Sequence, residues 1–210
     1  AAAFQVTLAA TAAGSFSGNV VISSNDADEG AFRLPVAGSV VGGAVFAGQR
    51  DPAFGTDGVA LTGAGTATDQ AFAVLALADG KTLIGGDIYM GGDYDFYLAK
   101  INNDGTPDTS FGAEGVKVIR LGSGSDRIYD LALQPDGKIL AAGYYNSGNN
   151  LDFALVRCHP DGTLDTTFGD NGIIGTPDGS GDDQAWRVLV QPDGKLILAG
   201  QAQGANWDFA

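Results

Sequence analysis

Asp79-Gly80-Lys81, Asp136-Gly137-Lys138 and Asp193-Gly194-Lys195 are one tripeptide written three times. The steps from 79 to 136 and from 136 to 193 are both 57 residues. A fixed period of this size marks a repeat architecture, in which each unit buries its apolar face only against its neighbours. Other columns keep the same step. Phe54, Phe111 and Phe168 form one, each followed by Gly; Phe72, Tyr129 and Trp186 form an aromatic one; Gly86, Gly143 and Gly200 form a third.

The middle copy gives the content of one unit. Residues 127–134 (RIYDLALQ) are almost continuously apolar, as in a strand buried on both faces. Pro135-Asp136-Gly137 reads as a hairpin turn, because Asp-Gly supplies the positive φ that such turns need. Residues 138–145 (KILAAGYY) form the return strand and 146–151 a polar loop. A third strand at 152–158 (DFALVRC), a long structured turn at 159–169 and a last strand at 172–175 complete the unit. Four short strands with no helical period predict a four-stranded propeller blade. Lettered a to d from the Asp-Gly-Lys hairpin, strand a is innermost. From Arg50 the chain then supplies a lone d strand near Gly58–Thr62, two full blades and an unfinished third. Propellers close with about four to eight blades, so the chain is read as a piece of a longer protein that does not close alone.

Composition points the same way. There are 33 Gly, and of the 25 acidic residues only Glu29 and Glu114 are Glu. Asp favours turns through short carboxylate–backbone bonds, whereas Glu favours helices. The expected fold class is all-β: a partial β-propeller preceded by strands of a β-sandwich. A net charge of −14 argues against nucleic acid and anionic membrane as partners. No run reaches the roughly 18 apolar residues of a membrane span. Cys158 is the single cysteine, which excludes a disulfide framework within the chain.

Residues 1–40 have a different character. Phe4–Leu8 alternates as a half-buried strand does, Phe16–Ser23 is a second strand, and Phe32–Ala37 a third, where Pro35 suggests an edge. Gly14-Ser15-Phe16-Ser17-Gly18, Ile22-Ser23-Ser24-Asn25-Asp26 and Val36-Ala37-Gly38 resemble the C-terminal half of immunoglobulin-like choice-of-anchor D domains, relatives of ASPM-SPD-2-Hydin modules. The resemblance implies a large bacterial surface protein, hence export. Residues 41–49 are a Gly-rich linker. Over residues 50–210, Asp-Gly-Lys, Asp152-Phe153-Ala154 and the run 161–169 (DGTLDTTFG) resemble the bacterial delta-60 repeat, a propeller-type repeat of unassigned function. The third copy departs by one residue, since Asp208 follows Asp152 by 56.

In an up-and-down blade, successive loops alternate between two ends. The a–b and c–d turns repeat almost unchanged and read as structural. The b–c and d–a loops differ between copies, which is how a scaffold presents a recognition surface. That variable end carries Tyr89, Tyr94, Tyr144, Tyr145, Asn149, Asn150 and Trp207. Rings that cover a sugar face and amides that pair with hydroxyls suit a carbohydrate or protein ligand; ordinary turn composition is the alternative. Two Asp columns lie at the same end: Asp69, Asp126 and Asp183 before strand a, and Asp95, Asp152 and Asp208 at strand c. Stacked carboxylates suit Ca²⁺, or each accepts a backbone N–H and pins its loop. A further calcium candidate, residues 102–108 with its copy at 159–165, lacks the full spacing of an EF-hand loop. Asp130 and Arg187 share one position on strand a, where they line a central channel or pair between blades.

Catalytic signals are poor. His159 is the only His and stands in a turn where the other copy has Asn102. Cys158 beside it points to the opposite face. No nucleophilic triad, zinc set or phosphate loop can be drawn. The expectation is a non-catalytic binding or display module, extracellular or at the cell surface, recognising protein or glycan, with calcium the one cofactor in question. A fragment of a propeller hydrolase or lyase with its catalytic residues outside this chain, and a plain structural spacer, stand as alternatives.

Overall fold

The computed structural model describes residues 14–22, 32–40, 50–62, 69–176, 181–203 and 207–209, with 14–22, 32–40 and 207–209 described by backbone alone. All regular elements among the described residues are β-strands. They fall into two compact units, Ala1–Ala60 and Leu61–Ala210.

In the first unit, β1 (Gly14–Ile22) and β2 (Phe32–Val40) pair antiparallel from Ile22↔Phe32 to Gly14↔Val40. Pro35 stands opposite Asn19 in this ladder. The strand expected over Phe4–Leu8 lies outside the described residues. The strand expected near Gly58–Thr62 is not formed. The Thr56 N–H donates to the Val59 carbonyl at 2.8 Å and the Val59 N–H returns to Thr56 at 3.1 Å. These bonds close a tight turn through Asp57 at φ 53°, and the same turn, through Glu114 at φ 54° and Asn171 at φ 53°, stands directly before the strands Val116–Ile119 and Ile173–Thr176; what differs at Val59 is that, among the described residues, it bridges only to Gly55 and Thr56 of its own turn.

The second unit contains three antiparallel sheets. The first is β3 (Gln70–Ala76), β4 (Thr82–Met90), β5 (Asp93–Ile101) and β6 (Val116–Ile119). The second is β7 (Arg127–Leu133), β8 (Ile139–Asn146), β9 (Leu151–Cys158) and β10 (Ile173–Thr176). The third is β11 (Asp183–Val190), β12 (Leu196–Gln203) and β13 (Trp207–Phe209). Every strand pairs with its neighbour in sequence, so each sheet is a meander. Each opens on an Asp-Gly-Lys hairpin, with Gly80, Gly137 and Gly194 at φ 85°, 83° and 84°.

The aromatic and glycine columns turn out to be two sides of one irregularity. The β3–β4, β7–β8 and β11–β12 ladders slip between Ala71 and Ala73, Ile128 and Asp130, and Ala185 and Arg187. The residues left unpaired are Phe72, Tyr129 and Trp186. Across from each bulge stand Gly86, Gly143 and Gly200, where a Cβ would meet the carbonyl oxygen of Gln70, Arg127 or Gln184 at 1.8, 1.8 and 1.9 Å. A bulge bends its strand and re-aims the extra side chain, and here it does so at the same place in each sheet.

Apolar side chains pack between the sheets. Leu83, Phe96, Leu98 and Phe111 of the first meet Ile128, Leu131, Ile139 and Val156 of the second. Leu140, Ala142 and Leu155 of the second meet Ala185 and Val188 of the third. Strand β8 therefore sends alternate residues into two different cores, which is why its sequence is continuously apolar. The first strands lie side by side, with β7 against both β3 and β11. Phe111 seals one end of the first seam: a Cβ on Gly162 would stand 3.0 Å from its ring.

Candidate functional site

The a–b and c–d turns are sewn together by charge. Lys81 Nζ lies 2.8 Å and Lys100 Nζ 3.5 Å from Asp108 Oδ2. In the second sheet Lys138 Nζ lies 3.2 Å and Arg157 Nε 2.9 Å from Asp165 Oδ2. The other oxygen of each accepts the N–H and hydroxyl of Ser110 or Thr167. Both carboxyls are held well below the usual range, Asp108 foremost by the Lys81 ammonium and Asp165 foremost by the Thr167 hydroxyl. Asp104 and Asp161, in the same stretches, accept the N–H and hydroxyl of Thr106 and Thr163. The carboxylates of 102–108 and 159–165 are thus occupied by their own turns.

At the opposite end the first Asp column makes one bond three times. Asp69, Asp126 and Asp183 accept through Oδ1 the N–H of Tyr89, Asn146 and Gln203, at 3.2, 3.1 and 3.0 Å. Asp126 Oδ2 also takes the Leu121 and Gly122 N–H groups; burial still pushes its carboxyl up, since these bonds offset only part of the desolvation. In the second column Asp95 is 2% exposed with Arg120 Nε 3.0 Å away. Asp152, equally buried, accepts from Asn150 Nδ2 at 3.0 Å. The Asp208 side chain lies outside the description. Among the described residues, no three His, Cys, Asp or Glu are grouped to hold a metal ion.

The aromatic and amide residues expected on the variable end divide. Tyr89 and Tyr94 pack edge-to-face at 5.2 Å on the β4–β5 hairpin, with Tyr89 exposed. Asn149 is exposed. Tyr144 is not on the surface: it is buried, its ring 5.8 Å from Tyr129. It directly follows bulge glycine Gly143, and that register turns it inward. Tyr145 is half-buried over Gly175, where a Cβ would come within 2.9 Å of its ring. Asn150 Nδ2 is spent on Asp152 and the Gly181 carbonyl. The Trp207 side chain lies outside the description. Asp130 Oδ2 accepts the Val188 N–H at 3.0 Å and so ties the second sheet to the third. Arg187 is exposed and donates to the Trp186 carbonyl at 2.8 Å.

A cleft of about 390 Å³ lies among Phe72, Tyr129, Trp186 and Arg187. Phe72 and Trp186 are 39% and 41% exposed, and Phe72 meets Tyr129 edge-on at 5.6 Å. The Arg127 guanidinium lies 4.7 Å over the Phe72 ring and donates through Nε to Asp87 at 2.5 Å. Asp87 is 0% exposed, and burial raises its carboxyl in spite of Arg127. It braces Arg127 from below and has no open path to a ligand. Sequence reasoning missed this pair. The available signal was the broken columns Asp87/Tyr144/Gln201 and Gln70/Arg127/Gln184. Elsewhere Cys158 is 1% exposed, its thiol pushed up to about 12 by burial. His159 Nε2 stands 4.0 Å from Asp165 Oδ1, in its turn.

Meandering antiparallel sheets, stacked face to face with their first strands adjacent, define an all-β protein of blade-like sheets. A family model described as domain of unknown function (DUF5122) beta-propeller matches residues 77–111 and 134–168. Each stretch runs from just past the first strand of a sheet to its Phe-Gly turn, and the match supports a propeller-type repeat family. No curated protein matches the chain.

Proposed function

We propose that the chain is a non-catalytic binding segment of an exported bacterial surface protein, and that it recognises glycan at the cleft between Phe72, Tyr129, Trp186 and Arg187. One observation carries the reading: equivalent bulges present three unlike rings, Phe, Tyr and Trp, around one opening, beside an exposed guanidinium. A packing role alone favours one residue type at equivalent places. Rings cover the apolar face of a pyranose, while guanidinium and phenol pair with its hydroxyls. The opposite end, fixed by Lys–Asp pairs in both complete sheets, is the scaffold. The finer assignments rest on the resemblances already quoted: 57-residue blades of the delta-60 type, an immunoglobulin-like N-terminal module of the choice-of-anchor D type, further blades in the parent protein and an extracellular location.

The test is a titration of a saccharide panel against the chain by calorimetry. The expected result is a saccharide whose Kd rises about tenfold or more, at least about 1.4 kcal/mol, in Trp186→Ala and Arg187→Ala and is unchanged in Tyr145→Ala. Binding that ignores Trp186 and Arg187, or no binding across the panel, removes the glycan reading.

A further inference from the structure

We propose that the sugar taken at the cleft carries a carboxylate, as a single acidic unit on an otherwise neutral glycan. The inference rests on the glycan reading above and adds the ligand's charge to it. The lining comes from β3, β7 and β11, each paired with the next strand of its sheet. It consists of three rings and one guanidinium, with no carboxylate and no side-chain amide among them. In a chain with 25 acidic residues to 11 basic ones, that lining is a local reversal of sign. Two carboxylates of the same region are turned to other partners. Asp87 is 0% exposed and takes the Arg127 guanidinium. Asp130, next to Tyr129 in the chain, accepts the Val188 N–H.

The hydrogen-bonding groups point the same way. A sugar hydroxyl both donates and accepts, so a neutral sugar asks its site for acceptors as well as donors. The lining side chains offer one acceptor, the Tyr129 oxygen, whose own hydrogen goes to Gln184 Oε1 at 3.4 Å. Arg187 offers donors only, and one of them is given to the Trp186 carbonyl at 2.8 Å. A guanidinium has five N–H groups in a planar fork, which suits the two oxygens of a carboxylate better than any hydroxyl pair. The rings cover the apolar face of the same sugar. The charge of the whole chain sets the limit to one such group. At a net charge of −14 the surface repels anions, but charges more than about 8 Å apart are largely screened at physiological ionic strength. A lone carboxylate at Arg187 keeps its contact attraction, whereas a polyanion lays its further charges over an acidic surface.

Calorimetry with matched ligands tests this. The probes are disaccharides ending in glucuronic, galacturonic or mannuronic acid, the methyl ester of each, and a polyuronide. They are titrated against the full chain and against Arg187→Gln, Arg187→Lys and Trp186→Ala. Both positions are exposed, so folding is expected to survive, checked by circular dichroism and melting. The expected result is one acid that binds about tenfold tighter than its own ester. That gap closes in Arg187→Gln and is partly kept in Arg187→Lys, while Trp186→Ala weakens acid and ester alike. The polyuronide binds no tighter per site than the single acid. An ester that binds as well as its acid, in a manner that depends on Trp186, overturns the carboxylate inference and leaves the glycan reading standing. A preference for the acid that survives Arg187→Gln, or a polyuronide that binds tighter per site, also overturns it. No binding by any acid or ester overturns it together with the glycan reading.

Discussion

Asp108 and Asp165 each gather two cations and a hydroxyl around one carboxylate. The sign of their effect on stability follows from their lowered pKa. The folded carboxyl gives up its proton more readily than the unfolded one, whose ordinary value is 3.8. The stabilisation is therefore complete above about pH 4 and is lost as pH falls through the folded value. Calorimetry of Asp165→Asn is expected to show a lower midpoint than wild type at neutral pH, with the gap closing below about pH 4. Asp87 and Asp126 run the other way: burial raises their carboxyls, so their ionisation opposes folding, and that opposition is relieved as pH drops below their folded values. Asp126 already satisfies three backbone N–H groups. Melting in excess Ca²⁺ and in EDTA is accordingly expected to coincide. An upward shift with Ca²⁺ that Asp126→Asn abolishes would reassign the column as a cation site, because a ligand of the folded state must raise the midpoint.

Each sheet carries one bulge between its first two strands, opposite a glycine. Gly143 has no room for a Cβ, which would lie 1.8 Å from the Arg127 carbonyl oxygen. Gly143→Ala is expected to cost about 3 kcal/mol, read as a fall in the urea midpoint. Gly194 has open space around its Cβ position but φ +84°; Gly194→Ala is expected to cost only about 1 kcal/mol of backbone strain. Equal costs would show that steric closure at the bulge is not what holds Gly143. Hairpins, strand order and both columns were legible in the sequence, because Asp-Gly turns and apolar runs are local properties of the chain. That Phe72, Tyr129 and Trp186 sit opposite the glycines was not, because it depends on which residue the ladder skips. Nor was the partnership of Lys81 with Asp108 and of Lys138 with Asp165, which joins turns separated by two strands.

Across the three sheets of the second unit, stability is expected to be a sum of seams, as in stacked repeats. Leu140→Ala opens a fully buried seam and is expected to cost about 2–5 kcal/mol. Ile197→Ala, at the same place in the third sheet but 43% exposed, is expected to fall within about 0.5 kcal/mol. Urea denaturation measures both. The Asp-Gly-Lys hairpins, the all-β class and the turn chemistry came from the sequence by itself, since each depends on residue type and spacing along the chain. Tertiary structure alone decided which carboxylates pin loops, which tyrosine is buried, and that Asp87 accepts from Arg127 while Arg127 lies over the Phe72 ring. Those outcomes are set by what the neighbouring sheet places against a residue, and identical columns in the chain meet different neighbours in space.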